Sequence, residues 1–246
     1  MRLEEALVEA ATPLARGRIL RRVFIGLGYT AVELSDGRCG LAYTLFEPGC
    51  CDYLPPEVSF RGRPADLALR HLLSTHPLER SVALATVNAL FNSRKLPLLE
   101  GDVLELVRPR PEDEVAMVGH FEPLARKLSR KVKHLWIFEK GERLGPGLLP
   151  ETEMPVFLPR ATLVFVTAVT ILNRTLEDIL EQIQRAREVV LLGPSTPLAP
   201  EVFCDFPMSL LSGVRVKDAE ALFSGVAEAR GFRGLKEALE KVNLRV

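Results

Sequence analysis

Side-chain amides are scarce in this 246-residue chain, which has only two Gln and four Asn. With 18 Pro alongside, that is the composition expected of a thermophile, where thermolabile side chains are few. An excess of either charge is also lacking. The chain carries 32 Lys+Arg and 32 Asp+Glu. The balance holds locally, with 13 basic and 13 acidic residues in 1–108 and 19 of each in 109–246. Neither part has the positive excess that binding a phosphate backbone demands, so no nucleic-acid partner is expected. No apolar run reaches the roughly 18 uncharged residues of a membrane span, so no membrane partner is expected. The first twenty residues carry acids early and lack a signal-peptide core. Together these absences predict a soluble cytoplasmic protein. Four Cys are too few for a disulfide scaffold in a chain this long. Ser-His-Asp order, P-loop, H-E-x-x-H and a nucleophile elbow are all missing.

An apolar fraction of 47% predicts a folded, globular chain. Residues 3–15 have helical apolar spacing. Residues 22–46 read as two β-rich runs joined at Asp36-Gly37, a strong hairpin signal. Residues 65–75 and 79–92 read as helices. Residues 108–114 (RPRPEDE) read as a linker. Beyond it, strands at 114–121, 134–140, 162–170, 188–193 and 209–216 alternate with helices, and the chain closes on predicted helices at 218–230 and 234–242. Unbroken apolar strands alternating with helices predict a parallel sheet covered on both faces. The fold class is therefore α/β: an α+β domain over 1–108, then a Rossmann-like domain over 109–246. The apolar stripes of the terminal helices suit either a homodimer face or the core.

Ligands of an open parallel sheet bind outside the carboxyl ends of its strands. Those ends are expected at Gly119-His120-Phe121, at Glu139, at Thr170 to Asn173, at Gly193-Pro194-Ser195-Thr196-Pro197 and at Gly213. Glu139 lies 20 residues beyond Gly119, the distance at which a ribose carboxylate is found, although the turn holds one glycine and not G-x-G-x-x-G. His120 suits acid/base work or ligation. The turn at 193–197 reads either as an anion cradle or as a proline-stiffened turn. Thr175 and Asp178 form a capping-box pattern, which leaves Asn173 to face the cleft. Gly26-Leu27-Gly28 is too close to the Asp36-Gly37 turn for a crossover helix, so these glycines are assigned to a bulge or close backbone contact within a strand. Asn88 and Asn92 share one face of an apolar helix. Either they point into a cleft between domains, or Asn92 simply ends the helix. Cys50-Cys51 is the one local soft-metal cue, the alternative being a partly buried loop with unreactive thiols; His71 and His76 follow at a spacing of five, poor for one helical face, while Cys39 and Cys204 read as small buried hydrophobes.

These motifs, in this order, resemble the heavy-metal chelatase family of unknown function. The residues that carry the resemblance are Gly28 to Glu33 with Asp36-Gly37, ATVNA at 85–89, Val118 to Phe121, Glu139, TILNRT at 170–175, GPSTPL at 193–198 and Ser212-Gly213. The resemblance implies an enolase-N-terminal-like domain followed by a Rossmann-like domain, with a site at their interface. By motif match it carries ligand-binding positions onto Asn88, Gly119, His120, Phe121, Glu139, Asn173, Gly193, Pro194, Ser195 and Thr196, with Glu33 as a weaker addition. Glu139 and His120 are the candidate metal ligands, and a divalent metal ion is the cofactor implied. The partner expected is thus a metal or a small molecule. The alternative is an enzyme that uses a nucleotide or S-adenosyl ligand, with His120 as general acid/base. A third reading is a structural partner whose crevice is closed.

Overall fold

The computed structural model describes residues 1–46, 53–141 and 145–246. The first part of the chain is α1 (Leu3–Ala15), strands β1 (Leu20–Ile25), β2 (Tyr29–Leu34) and β3 (Cys39–Tyr43), then helices α2 (Ala65–Leu69) and α3 (Pro77–Phe91). The three strands form one antiparallel sheet in the order β1-β2-β3. The Asp36-Gly37 hairpin forms between β2 and β3, with Gly37 at φ +85°. The run read as a single strand before it is in fact two, folded back at Gly26-Leu27-Gly28. Close contact does explain Gly26, since a Cβ there would lie 2.5 Å from the Val226 carbonyl oxygen.

Every residue of α3 from Leu78 to Phe91 is buried. Burial on every side marks an interior helix, and α3 lies against β2 and β3 with α1 and α2 beside it. Gly40 sets its closest approach. A Cβ there would fall 2.0 Å from the Ala85 carbonyl oxygen and 2.3 Å from the Ala89 nitrogen.

The remainder contains α4 (Val103–Val107), β4 (Glu114–Val118), α5 (Glu122–Leu128), β5 (His134–Glu139), β6 (Leu148–Pro150), α6 (Met154–Phe157), β7 (Leu163–Thr167), α7 (Val169–Leu172) and α8 (Leu176–Glu181). It continues with β8 (Glu188–Leu192), α9 (Pro200–Phe203), β9 (Leu210–Val216), α10 (Ala219–Ala227), α11 (Phe232–Leu235) and β10 (Leu239–Arg245). These strands form a seven-stranded sheet in the order β10-β9-β8-β7-β4-β5-β6. Six are parallel, and β6-β5-β4-β7-β8-β9 is the doubly wound Rossmann order. Both faces are covered. Ala116, Val118, Val164 and Val166 enter one core while Val115, Met117, Leu163 and Phe165 enter another, which is why these strands read as unbroken apolar runs.

Three expectations need correction. The terminal segment is not a helix: Leu239–Arg245 pairs antiparallel with all of β9. The segment 108–114 is not a free linker, because its Asp113 is buried and held by Arg187 at 2.6 Å, the Arg110 N–H at 2.7 Å and the Thr162 hydroxyl at 2.8 Å. The strand expected to run to residue 170 stops at Thr167, and α7 begins two residues later.

Candidate functional site

In the doubly wound order the sheet reverses between β4 and β7, and the crevice opens at their carboxyl ends. After β4, Gly119 takes φ +88° and donates its N–H to the Phe138 carbonyl at 2.8 Å. A Cβ at Gly119 would lie 3.0 Å from the Thr167 side chain across the switch point, so glycine alone lets the two strand ends close. After β8, Gly193 takes φ +122° beneath the Phe121 ring, and its N–H bonds the Ser212 carbonyl at 3.0 Å.

A cavity of about 120 Å³ lies here. Its floor is Phe121 from the first loop, Thr167 to Val169 from the second and Leu192 to Ser195 from the third. Its roof comes from the small sheet: Tyr29 of β2 and Tyr43 of β3 are register partners, with rings edge-on at 6.3 Å. Ser195, 2% exposed, ties floor to roof by accepting the Tyr43 N–H at 2.8 Å. Burial, together with the neighbouring Tyr43, raises the Tyr29 phenol above its ordinary range. Among the described residues, the tyrosines are the cavity's only ionisable side chains.

The structure thus brings Phe121, Gly193, Pro194 and Ser195 into one cavity, with Gly119 directly behind it. The other candidates hold the frame. Glu139 spends both oxygens on backbone, accepting the His120 N–H at 2.9 Å and the Lys140 N–H at 3.0 Å. His120 is exposed, and its ring has no partner among the described residues. Asn173 does not leave capping to Thr175. Its own Oδ1 accepts the Thr175 N–H and hydroxyl, at 3.3 and 2.7 Å, and Thr175 makes no side-chain cap. Asn88 is wholly buried away from the cavity and donates to the Leu41 carbonyl at 2.8 Å. Thr196 is buried next to Asn92, which bridges the two parts of the chain: Asn92 donates to the Thr196 and Val214 carbonyls and accepts the Leu198 N–H. Glu33 is buried in ion pairs with Arg21 and Arg22.

Cys50 and Cys51 lie outside the described residues. His71 is engaged at both nitrogens, donating from Nδ1 to Glu79 at 2.7 Å and accepting at Nε2 from Arg63 at 2.9 Å. Cys39 is buried, but Cys204 is exposed, against expectation. Among the described residues no three His, Cys, Asp or Glu side chains stand together as a metal cage, and no helix is long and apolar enough to cross a membrane. The reading of the sequence did not pick out Tyr29, Tyr43 or Thr167 as site residues. The only available signal was that both tyrosines terminate strands on either side of the Asp36-Gly37 hairpin.

A small antiparallel sheet roofing the switch point of a Rossmann sheet defines a two-part α/β protein with a crevice between its sheets. The chain belongs to the DUF364 family, described as "Putative heavy-metal chelation", whose model matches residues 102–245. A companion model, DUF4213, with the same description, matches residues 8–91. An uncharacterized protein of Methanocaldococcus jannaschii is 27% identical over 173 residues, 69% of this chain and 67% of that protein. A DUF364 protein of unknown function from Pyrococcus horikoshii matches with TM-score 0.88 at 24% identity, covering 99% of this chain and 100% of the other. Another from Desulfitobacterium hafniense matches with TM-score 0.84 at 25% identity, covering 99% and 97%.

Proposed function

We propose that the chain binds a small ligand in the crevice between its two sheets, and that the heavy metal of its family's description is carried there as a chelate of that ligand. The observation that supports this is the crevice's construction, with three loop ends of the Rossmann sheet as floor and two tyrosines of the other sheet as roof. In this reading 1–108 and 109–246 act as two units that meet at the ligand. The described donor set does not fit a resident metal, because the lining offers phenol and hydroxyl oxygens without thiol, imidazole or carboxylate. At about 30 Å³ per water, the cavity of about 120 Å³ takes one arm of a chelator, a group the size of a few waters, and leaves the rest of the chelate at its mouth. Glu139, the residue placed for a nucleotide's ribose, is already bonded to backbone.

The test is equilibrium dialysis against nickel(II) with citrate, using the intact chain and a Val169→Trp variant. Val169 lines the crevice and is only half-buried, so the larger ring fills the cavity without invading the core. Metal retained with citrate by the native chain and lost in Val169→Trp is the expected result. Retention of bare nickel, unchanged in the variant, overturns the proposal. A nucleotide-sized mass co-purifying with the native chain would instead favour a nucleotide-dependent enzyme.

A further inference from the structure

We infer that the ligand is recognised through an oxyanionic group, most simply a carboxylate; this rests on the crevice reading above and names its substrate class. The argument is a count of donors and acceptors. Ser195 is 2% exposed and lines the cavity. Its Oγ accepts the Tyr43 N–H at 2.8 Å, so its hydroxyl hydrogen is left to donate, and no acceptor meets it among the described residues. The Ser195 backbone N–H likewise has no partner among the described residues. Two donors in so buried a residue need acceptors. Tyr29 and Tyr43 line the same cavity, Tyr29 half-buried and Tyr43 39% exposed, and neither hydroxyl has a partner among the described residues.

Ser195 thus brings two unmet donors to a cavity whose described lining also holds two phenols and neither carboxylate nor imidazole. Among the described residues a bare cation finds no charged ligand atom there. An oxyanion can accept from the Ser195 N–H and hydroxyl together, with the phenols of the same lining as further donors. Such charge-assisted bonds are the strong ones, and they are what must hold the anion, since the described lining has no lysine or arginine to neutralise it. A carboxylate of a small chelator is a group of the right size, and its remaining oxygens stay free for the metal.

The experiment is calorimetric titration of the full chain with oxalate and with oxamide, its neutral isostere, repeated on Tyr29→Phe, Tyr43→Phe and Val169→Trp. The phenylalanine variants remove single hydroxyls and keep the rings, so folding is preserved. Oxalate is expected to bind, to lose roughly ten-fold in affinity in each phenylalanine variant, as one hydrogen bond to a charged group is worth, and to lose binding in Val169→Trp. Oxamide is expected to bind much more weakly. Oxamide binding as tightly as oxalate, with both lost in Val169→Trp, overturns the oxyanion assignment while leaving the crevice reading intact. Binding that ignores Val169→Trp overturns both. No binding of either probe at millimolar concentration overturns the oxyanion assignment, and the nickel–citrate dialysis then decides the crevice reading on its own.

Discussion

Asn92 carries the sharpest stability prediction. Its side chain is 4% exposed and makes three hydrogen bonds across the two parts of the chain. Nδ2 donates to the Thr196 carbonyl at 3.2 Å and the Val214 carbonyl at 3.0 Å, and Oδ1 accepts the Leu198 N–H at 2.9 Å. Asn92→Ala leaves that N–H and both carbonyls without their partner. An orphaned buried group costs about 1–3 kcal/mol. The carbonyls fall at the low end of that range, since each keeps a second lone pair. The sum is about 3–5 kcal/mol. For a chain of this size 1 kcal/mol moves the unfolding midpoint by about 2–4 °C, so calorimetry should show a fall of roughly 6–20 °C. Asn92→Asp separates this account from simple loss of volume. The substitution keeps the acceptor for Leu198 but sets a carboxylate against two carbonyl oxygens. At pH 7 it is expected to be at least as destabilised as Asn92→Ala. Its carboxyl then has a raised folded pKa, so stability is present below the ordinary carboxyl range near 4 and lost as pH rises. Recovery of Asn92→Asp toward acid, relative to Asn92→Ala, is the signature. A midpoint fall under about 3 °C for Asn92→Ala, or no such recovery, refutes the reasoning.

Other expectations follow from single contacts. Gly40→Ala drives a methyl into the Ala85 carbonyl on α3, and urea unfolding should show a loss of about 3 kcal/mol or more, the upper end for overpacking. Burial pushes the Asp113 carboxyl up, but hydrogen bonds from Arg187, the Arg110 N–H and Thr162 outweigh burial and hold it below the usual range. Its contribution is therefore present above the unfolded pKa of about 4 and lost as pH falls through the folded value, so Asp113→Asn should flatten the acid limb of a stability–pH curve. Burial pushes the Cys39 thiol up to about 11, with Glu33 adding to it. Iodoacetamide labelling followed by peptide mapping should therefore modify exposed Cys204 and spare Cys39 until the chain unfolds. In a titration of tyrosine absorbance, Tyr29→Phe should remove a step above the ordinary phenol range near 10, because burial and Tyr43 hold Tyr29 protonated.

The large sheet was legible because its central strands are buried on both faces and each turns at a small or polar residue. Val115 to Val118 and Leu163 to Val166 show no alternation for that reason. Gly119 and Gly193 were found for reasons the structure makes physical: both sit at positive φ, and Gly119 also faces a neighbour too close for a Cβ. The last strand was not legible. Leu235, Leu239 and Val242 repeat at helical spacing, and Val242, Asn243 and Leu244 are buried only because they complete a ladder with β9. Register with a distant strand leaves no local mark. Polar residues at strand ends have local partners that the sequence does not show. Glu139 and Asn173 look free in the sequence, yet turn N–H groups need acceptors, and these side chains supply them.

The tyrosine roof was invisible on the same grounds, and it bears on how the crevice must work. Tyr43 binds Ser195 through its backbone N–H, and Asn92 binds the same loop from the other side. The loop at 193–198 is thus held at both ends by the first part of the chain, while β8 and β9 anchor it in the second. Any ligand touching Ser195 presses on a segment shared by both sheets. Sliding one sheet over the other to widen the cavity would break the Tyr43–Ser195 bond and the Asn92 bridge together. Side-chain movement of Tyr29, Tyr43 or Phe121 breaks no hydrogen bond among the described residues. Entry of a small ligand by ring rotation is therefore the less costly route. A ligand too large for about 120 Å³ must also overcome the loss of buried hydrogen bonds at about 1–3 kcal/mol for each group orphaned. In the proposed reading, a group that needs more enclosed room must break the Tyr43–Ser195 bond and the Asn92 bridge, so the crevice favours small groups.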